Sequence, residues 1–322
     1  MIVDIGLLGR TKSSLQIFIA PQASFAINCW ASLSKCTHLR TLDLSLVSEA
    51  ISFQSLNQTI RQLPCLRHLY LPRCSSRYSD ETTSTLNVRW PPLLEHLSLS
   101  GSVSGQFLWD MLRNHTNFPP SLSSVVVAHC PGLDHKGIRP LLCNLANQLT
   151  TVELRDLPAV KHGRFNSVLE WLPNLINLSV ALDYIDTRFG NMPDDFGPGN
   201  WEVAKPLQSL TLVSSGQTSI DPNRSFVAED LYALIDNRFL GRLRWVKIAA
   251  STEWMQVSDG ADIGALEMLL VEVDEENWRE RRWHYKDVSL AAGKEKGDYE
   301  KWIAKTRMGR RMRPSLMMLP NR

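Results

Sequence analysis

Residues 122–142 run LSSVVVAHCPGLDHKGIRPLL. Leu122, Val125 and Val127 sit at the spacing L-x-x-L-x-L, with Val in place of two leucines. The chain then passes through His129-Cys130 and Pro131-Gly132 to Asp134 and a helix-like stretch. In an extended segment successive side chains face opposite ways. The fourth and sixth positions of the string therefore share one side, and the third and fifth share the other. Cys130 follows the last apolar position by three residues, with His129 and His135 nearby. That neighbourhood suggests either a metal site or a small apolar thiol packed where the chain turns away from its strand.

The same string recurs, which decides between these readings. It appears as LRTLDL from Leu39, LRHLYL from Leu66, LEHLSL from Leu94 and LTTVEL from Leu149. It continues as LINLSV from Leu175, LQSLTL from Leu207 and LRWVKI from Leu243, and a ninth is expected in LEMLLV from Leu266. The first six starts are 27, 28, 28, 27 and 26 residues apart, and the later gaps are 32, 36 and 23. A fixed period of this length marks a solenoid, because no single repeat can bury its apolar face without neighbours stacked on it. Cys74 stands in the repeat from Leu66 where Cys130 stands in its own, so the cysteine is read as architecture, buried and metal-free.

The intervening segments carry helical spacing. Ile138, Leu141, Leu142 and Leu145 form one stripe, Phe165, Val168, Leu169 and Leu172 another. Leu231, Leu234 and Ile235, and Leu56, Ile60 and Leu63, form two more. Asp134 is expected as a helix cap, with Pro140 in the first turn. Pro64, Pro173 and Pro206 fall at helix-to-strand joins. The fold class expected is α/β: a leucine-rich-repeat horseshoe of about eight or nine strand–helix repeats with a parallel sheet on the concave side. The expected organisation is 1–38 an N-terminal cap or degenerate repeat, 39–273 the solenoid, and 274–322 a charged C-terminal cap with a basic tail.

The stretch LSSVVVAHCPGLDHKGIRPLL resembles the cysteine-containing leucine-rich repeats, whose units run L-x-x-L-x-L-x-x-C and then through Asp and Gly-Ile into a helix. Such repeats are common in F-box leucine-rich-repeat proteins, and the irregular spacing and aromatic loops here are similar to fungal members. The resemblance implies a substrate-recognition scaffold. In that family an N-terminal F-box docks on the adaptor of a cullin–RING (SCF) ubiquitin ligase. The 38 residues before the first clear repeat contain no Leu-Pro-x-Glu-like stretch typical of an F-box. LQIFIAPQ and WASLSKCTHL look like a capping repeat instead. A ligase adaptor is thus an expected partner only where an F-box lies upstream, and a free-standing repeat adaptor is the alternative.

Composition fits such a scaffold. Of 322 residues, 43% are hydrophobic and 21% charged, ordinary proportions for a globular chain. The net charge of +2 is not that of a nucleic-acid binder. It is unevenly placed: the seven basic residues after Glu300 carry it, and without them +2 becomes −5. That tail reads as a solvated segment or a nuclear address. Six dilute cysteines, without CxxC pairs, suit a reducing cytoplasmic or nuclear setting. The N-terminus makes a poor signal peptide, and no run approaches a membrane span.

No P-loop, H-E-x-x-H, G-x-S-x-G or dinucleotide fingerprint is present. The chain is therefore read as non-enzymatic, without cofactor or metal; a loop-based hydrolase or metalloenzyme is the remote alternative. The acid-rich stretch Asn191–Glu202 lacks calcium-loop spacing. His68 and His96, both third positions of neighbouring repeats, are read as part of a polar binding row.

The partner-binding surface expected is the outward side of the strands. Third positions give Thr41, His68, His96, Ser124, Thr151, Asn177, Ser209 and Trp245. Fifth positions give Asp43, Tyr70, Ser98, Val126, Glu153, Ser179, Thr211 and Lys247. Aromatic and basic groups gather at the two ends, Arg67, His68, Tyr70 and Arg73 early and Arg244, Trp245 and Lys247 late. With His96 and Glu153 these are the candidate contacts, since Tyr, Trp and Arg are common interface anchors.

Overall fold

Every L-x-x-L-x-L string from Leu39 to Leu243 becomes a strand. The computed structural model describes residues 10–20, 29–47, 53–71, 88–101, 103–113, 118–192, 204–214, 225–249, 254–255, 257–284 and 314–318. The strands are β1 Ile17–Ile19, β2 Thr41–Asp43, β3 His68–Tyr70, β4 His96–Leu99, β5 Ser124–Ala128, β6 Thr151–Arg155, β7 Asn177–Ala181, β8 Ser209–Val213, β9 Trp245–Ile248 and β10 Ser315–Met318. They form one sheet in chain order, with every adjacent pair parallel. Parallel neighbours in unbroken chain order are the signature of a leucine-rich-repeat solenoid.

The core follows the repeat. Leu39, Leu66, Leu94, Leu122, Leu149, Leu175, Leu207 and Leu243, the first positions, are buried. So are the fourth and sixth positions, from Leu42 and Leu44 to Val246 and Ile248. Register puts like on like: Leu69 pairs with Leu97, Val125 with Val152, Leu178 with Leu210. Each buried aliphatic side chain contributes about 1.5–3 kcal/mol, but only with both neighbours in place.

Between strands run α1 Cys29–Leu33, α2 Phe53–Ile60, α3 Gly105–Arg113, α4 His135–Asn144, α5 Val168–Trp171, α6 Ala228–Asp236 and α7 Gly260–His284. Asp134 caps α4, its Oδ1 accepting the backbone N–H of Gly137 at 3.1 Å. Gly137 is also where α4 meets α3: a Cβ there would lie 2.8 Å from the Cα of Gly105. Ile138, Leu141, Leu142 and Leu145 are buried as their spacing predicts.

Four expectations need correction. Leu266–Val271 is not a ninth strand but part of α7. Leu266, Leu269, Leu270 and Val273 are all buried and lie at i, i+3, i+4 and i+7, so the string satisfies a helix equally well. Pro140 lies inside α4 rather than in its first turn, because the helix starts at His135. The stripe from Phe165 to Leu172 is buried throughout, yet only Val168–Trp171 is helical. The sheet has ten strands rather than eight or nine, since LQIFI supplies β1 and residues 315–318 add β10 at the other end. Trp278 of α7 is buried. Among the described residues no helix is long and apolar enough to cross a membrane.

Candidate functional site on the outward sheet face

The third and fifth positions line up across the sheet because the parallel register has no offset between repeats. Thr41 pairs with His68, His68 with His96, His96 with Ser124, and the row continues through Thr151, Asn177 and Ser209 to Trp245. Asp43, Tyr70 and Ser98 begin the second row, which ends with Lys247 beside Met317. These side chains are half-buried or exposed, in alternation with the core.

The early end is a compact aromatic–polar cluster. The His68 and His96 rings lie 6.1 Å apart, and Tyr70 leans on His96 at 4.8 Å between centroids. His96 Nδ1 is 2.8 Å from Ser124 Oγ, and His68 Nδ1 is 3.4 Å from Thr41 Oγ1. His96 Nε2 is shielded from solvent and has no hydrogen-bond partner among the described residues. Burial, then the neighbouring His68, lowers the His96 pKa, with Glu153 opposing them. His96 is therefore a neutral imidazole at neutral pH. Burial, then Asp43, raises the Tyr70 pKa, keeping its phenol protonated. The cluster can stack against a partner's flat group and exchange hydrogen bonds through the neutral His96 and Tyr70.

The charged candidates are mostly engaged. Arg67, at a second position, pairs with Glu95 of the next repeat, and Glu153 pairs with Arg155. Arg244 is the clear departure. It was expected to be an exposed anchor, but it is 6% exposed and forms an ion pair with Asp274 of α7, Nε to Oδ1 at 2.8 Å. Its guanidinium also lies 4.9 Å from the Trp245 ring centre. It therefore anchors the C-terminal helix. Trp245 is half-buried, and Lys247 is exposed on the face. Arg73 lies outside the described residues. The early and late clusters do not converge: six strand steps separate β3 from β9, roughly 25–30 Å at the usual spacing.

Two features were not read from the sequence. Ile17 and Ile19, each 60% exposed, extend the two outward rows onto β1; the alternation in LQIFI was the available signal. At the strand ends, His129 and Asp156 occupy equivalent positions of adjacent repeats, both with left-handed backbone (φ 56° and 51°). His129 Nδ1 pairs with Asp156, while Nε2 lies 3.3 Å from an Arg155 nitrogen. A guanidinium can only donate, so Nε2 accepts and Nδ1 carries the proton.

Cys130 answers to architecture. It is fully buried, its thiol 3.4 Å from the carbonyl oxygen of Ala128 and 3.7 Å from that of Leu99. Burial pushes its pKa up to about 12. Among the described residues no group of three or more His, Cys, Asp and Glu could hold a metal ion. Cys74 and most of Asn191–Glu202 lie outside the described residues.

No protein-family model matches the chain. It is 29% identical over 260 residues to Protein pof5 of Schizosaccharomyces pombe, covering 79% of this chain and 69% of that one. It is 31% identical over 255 residues to F-box protein YDR306C of Saccharomyces cerevisiae, covering 79% of this chain and 50% of that protein. The resemblance to fungal F-box-like proteins thus extends over most of the chain, which spans only half the length of the second relative. A solved structure titled Crystal structure of TLR13-ssRNA13 complex aligns with 67% of this chain and 40% of its own, at 16% identity and a TM-score of 0.26. At that score the likeness decides nothing, and the solenoid rests on the strand order itself.

Proposed function

We propose that the chain is a non-enzymatic recognition scaffold in the cytoplasm or nucleus that holds a protein partner on its outward sheet face. We further propose that it serves as the substrate-recognition part of an F-box-type ubiquitin ligase. The observation that supports the scaffold reading is the in-register outward row, with the His68–Tyr70–His96 cluster at one end and Trp245 and Lys247 at the other. A rigid face with aromatic groups and few free charges suits a protein surface better than a nucleic acid, which needs a dense array of unpaired cations. The F-box name of one relative supports the ligase reading. Partner contacts are assigned to 39–273, with 1–38 and 274–322 as caps.

Affinity capture of the full chain followed by mass spectrometry tests both statements. Recovery of a ligase adaptor and cullin supports the ligase role. Stable partners without them support a free-standing repeat adaptor. Partners bound equally well by a chain altered at Tyr70 and His96 would move the interface off this face.

A further inference from the structure

On the helix side of the solenoid, Gln58, Arg61, Gln62, Arg89 and Trp90 line a cleft of about 550 Å³. We propose that this cleft binds a phosphomonoester. The inference does not rest on the outward-face reading, because the cleft is built on α2 and the chain entering β4.

The described lining contains no carboxylate, and its charged groups are two guanidinium groups. Arg61 and Arg89 are both exposed, and neither makes an ion pair with a described carboxylate. Trp90 is only 8% exposed, and its indole N–H is shielded from solvent with no acceptor among the described residues. A buried donor without a partner is destabilising. The wall itself is held firmly. Trp90 stacks on Phe118 at 5.5 Å and meets Phe53 edge-on at 6.4 Å. The buried Asn57 accepts the backbone N–H of Arg89 through Oδ1 at 3.3 Å, tying this segment to α2.

Guanidinium and amide donors gathered around one cleft call for an anion rich in acceptor oxygens. Arg61 and Gln62 follow the C-terminal end of α2, where the helix carries roughly half a negative charge. Two guanidinium groups outweigh that, and they match phosphate oxygens in paired geometry. A phosphomonoester carries about −1.5 to −2 at neutral pH, against one charge for a carboxylate. The cleft leaves room for the group to which the phosphate is attached, either a phosphorylated side chain or a small phosphorylated molecule.

The test follows the Trp90 indole N–H resonance in the full chain by NMR, assigned with Trp90→Phe. Inorganic phosphate, O-phosphoserine and a phosphoserine peptide are titrated at constant ionic strength, with sodium chloride as control. A saturable shift with the phosphates alone is expected, weakened at least tenfold in Arg61→Gln/Arg89→Gln with the rest of the spectrum unchanged. Tighter binding of the peptide identifies a phosphorylated side chain, and equal binding a small molecule. An equal shift with chloride, no saturable shift, or undiminished binding by the double variant would overturn the proposal.

Discussion

Arg244 Nε lies 2.8 Å from Asp274 Oδ1, an ion pair enclosed between the start of β9 and the middle of α7. Their side chains are separated by 30 residues of sequence. Removing one partner of such a pair leaves the other charge buried, which costs about 3–5 kcal/mol. Asp274→Ala is therefore predicted to destabilise strongly, with loss of amide protection beginning in α7. Arg244→Met/Asp274→Leu should recover most of that loss. Urea titration with hydrogen exchange provides the check, and a double variant as unstable as the single would contradict it.

Cys130 is predicted to resist thiol reagents in the folded chain, while the exposed Cys143 reacts at once. A thiol held at about 12 has almost no thiolate at neutral pH. Cys130→Ala should cost a few kcal/mol at most, through a small cavity. Cys130→Asp should cost more, because the carboxylate has no cation to meet. Peptide mapping after timed alkylation measures the first, thermal melting the second. Stoichiometric zinc that disappears in Cys130→Ala would refute the structural role.

On the outward face, Tyr70→Ala combined with Arg67→Ala is expected to weaken partner binding by about 2 kcal/mol or more. Folding should survive, since the half-exposed Arg67–Glu95 pair is worth only about 0–1 kcal/mol. Leu69→Ala, one residue away and fully buried, should instead cost about 2–5 kcal/mol and loosen adjacent repeats. Melting and partner capture measured on the same samples separate the two classes. Early melting of the Tyr70/Arg67 variant with normal capture per folded molecule would place the interface elsewhere.

Asp186 ties its own segment to the one that carries Asn166. Its backbone N–H donates to Asn166 Oδ1, its Oδ1 accepts from Asn166 Nδ2 at 2.6 Å, and Arg188 donates to both carboxylate oxygens. Burial alone would raise its pKa, but the Arg188 and Asn166 hydrogen bonds bring it below the usual carboxylate value. With the folded pKa below the unfolded one, this stabilisation is complete above the unfolded value, about 3.9. It is lost as pH falls through the folded value. Asp186→Asn should therefore lower stability at neutral pH and flatten its decline in acid, as read from urea midpoints across that range. Gly163→Ala should destabilise at every pH: φ is +68°, and a Cβ would lie 2.3 Å from Asp186 Oδ2.

Much of the molecule could be inferred from the period alone. A strand repeat of six positions, spaced 26–28 residues through its first six copies and 32 and 36 after them, dictates which side chains enter the core and which line the outward face. The row from Thr41 to Trp245 follows from that alternation, because zero register offset leaves no other pairing. The role of Cys130 was legible for the same reason, since its place in the repeat matters more than its histidine neighbours.

Contacts distant in the chain settled the rest. Leu266–Val271 satisfies both a strand string and a helical stripe, and packing of α7 against α6 selects the helix. Arg67 and Arg244 occupy the same repeat position. The first remains at the surface beside Glu95, while the second is buried because α7 carries Asp274 over it. Ser315–Met318 carries no repeat signature, yet it completes the sheet because β9 offers an edge. Local periodicity governs burial within a repeat. Its value at the ends depends on which remote segment covers the last strand, and no local pattern encodes that choice.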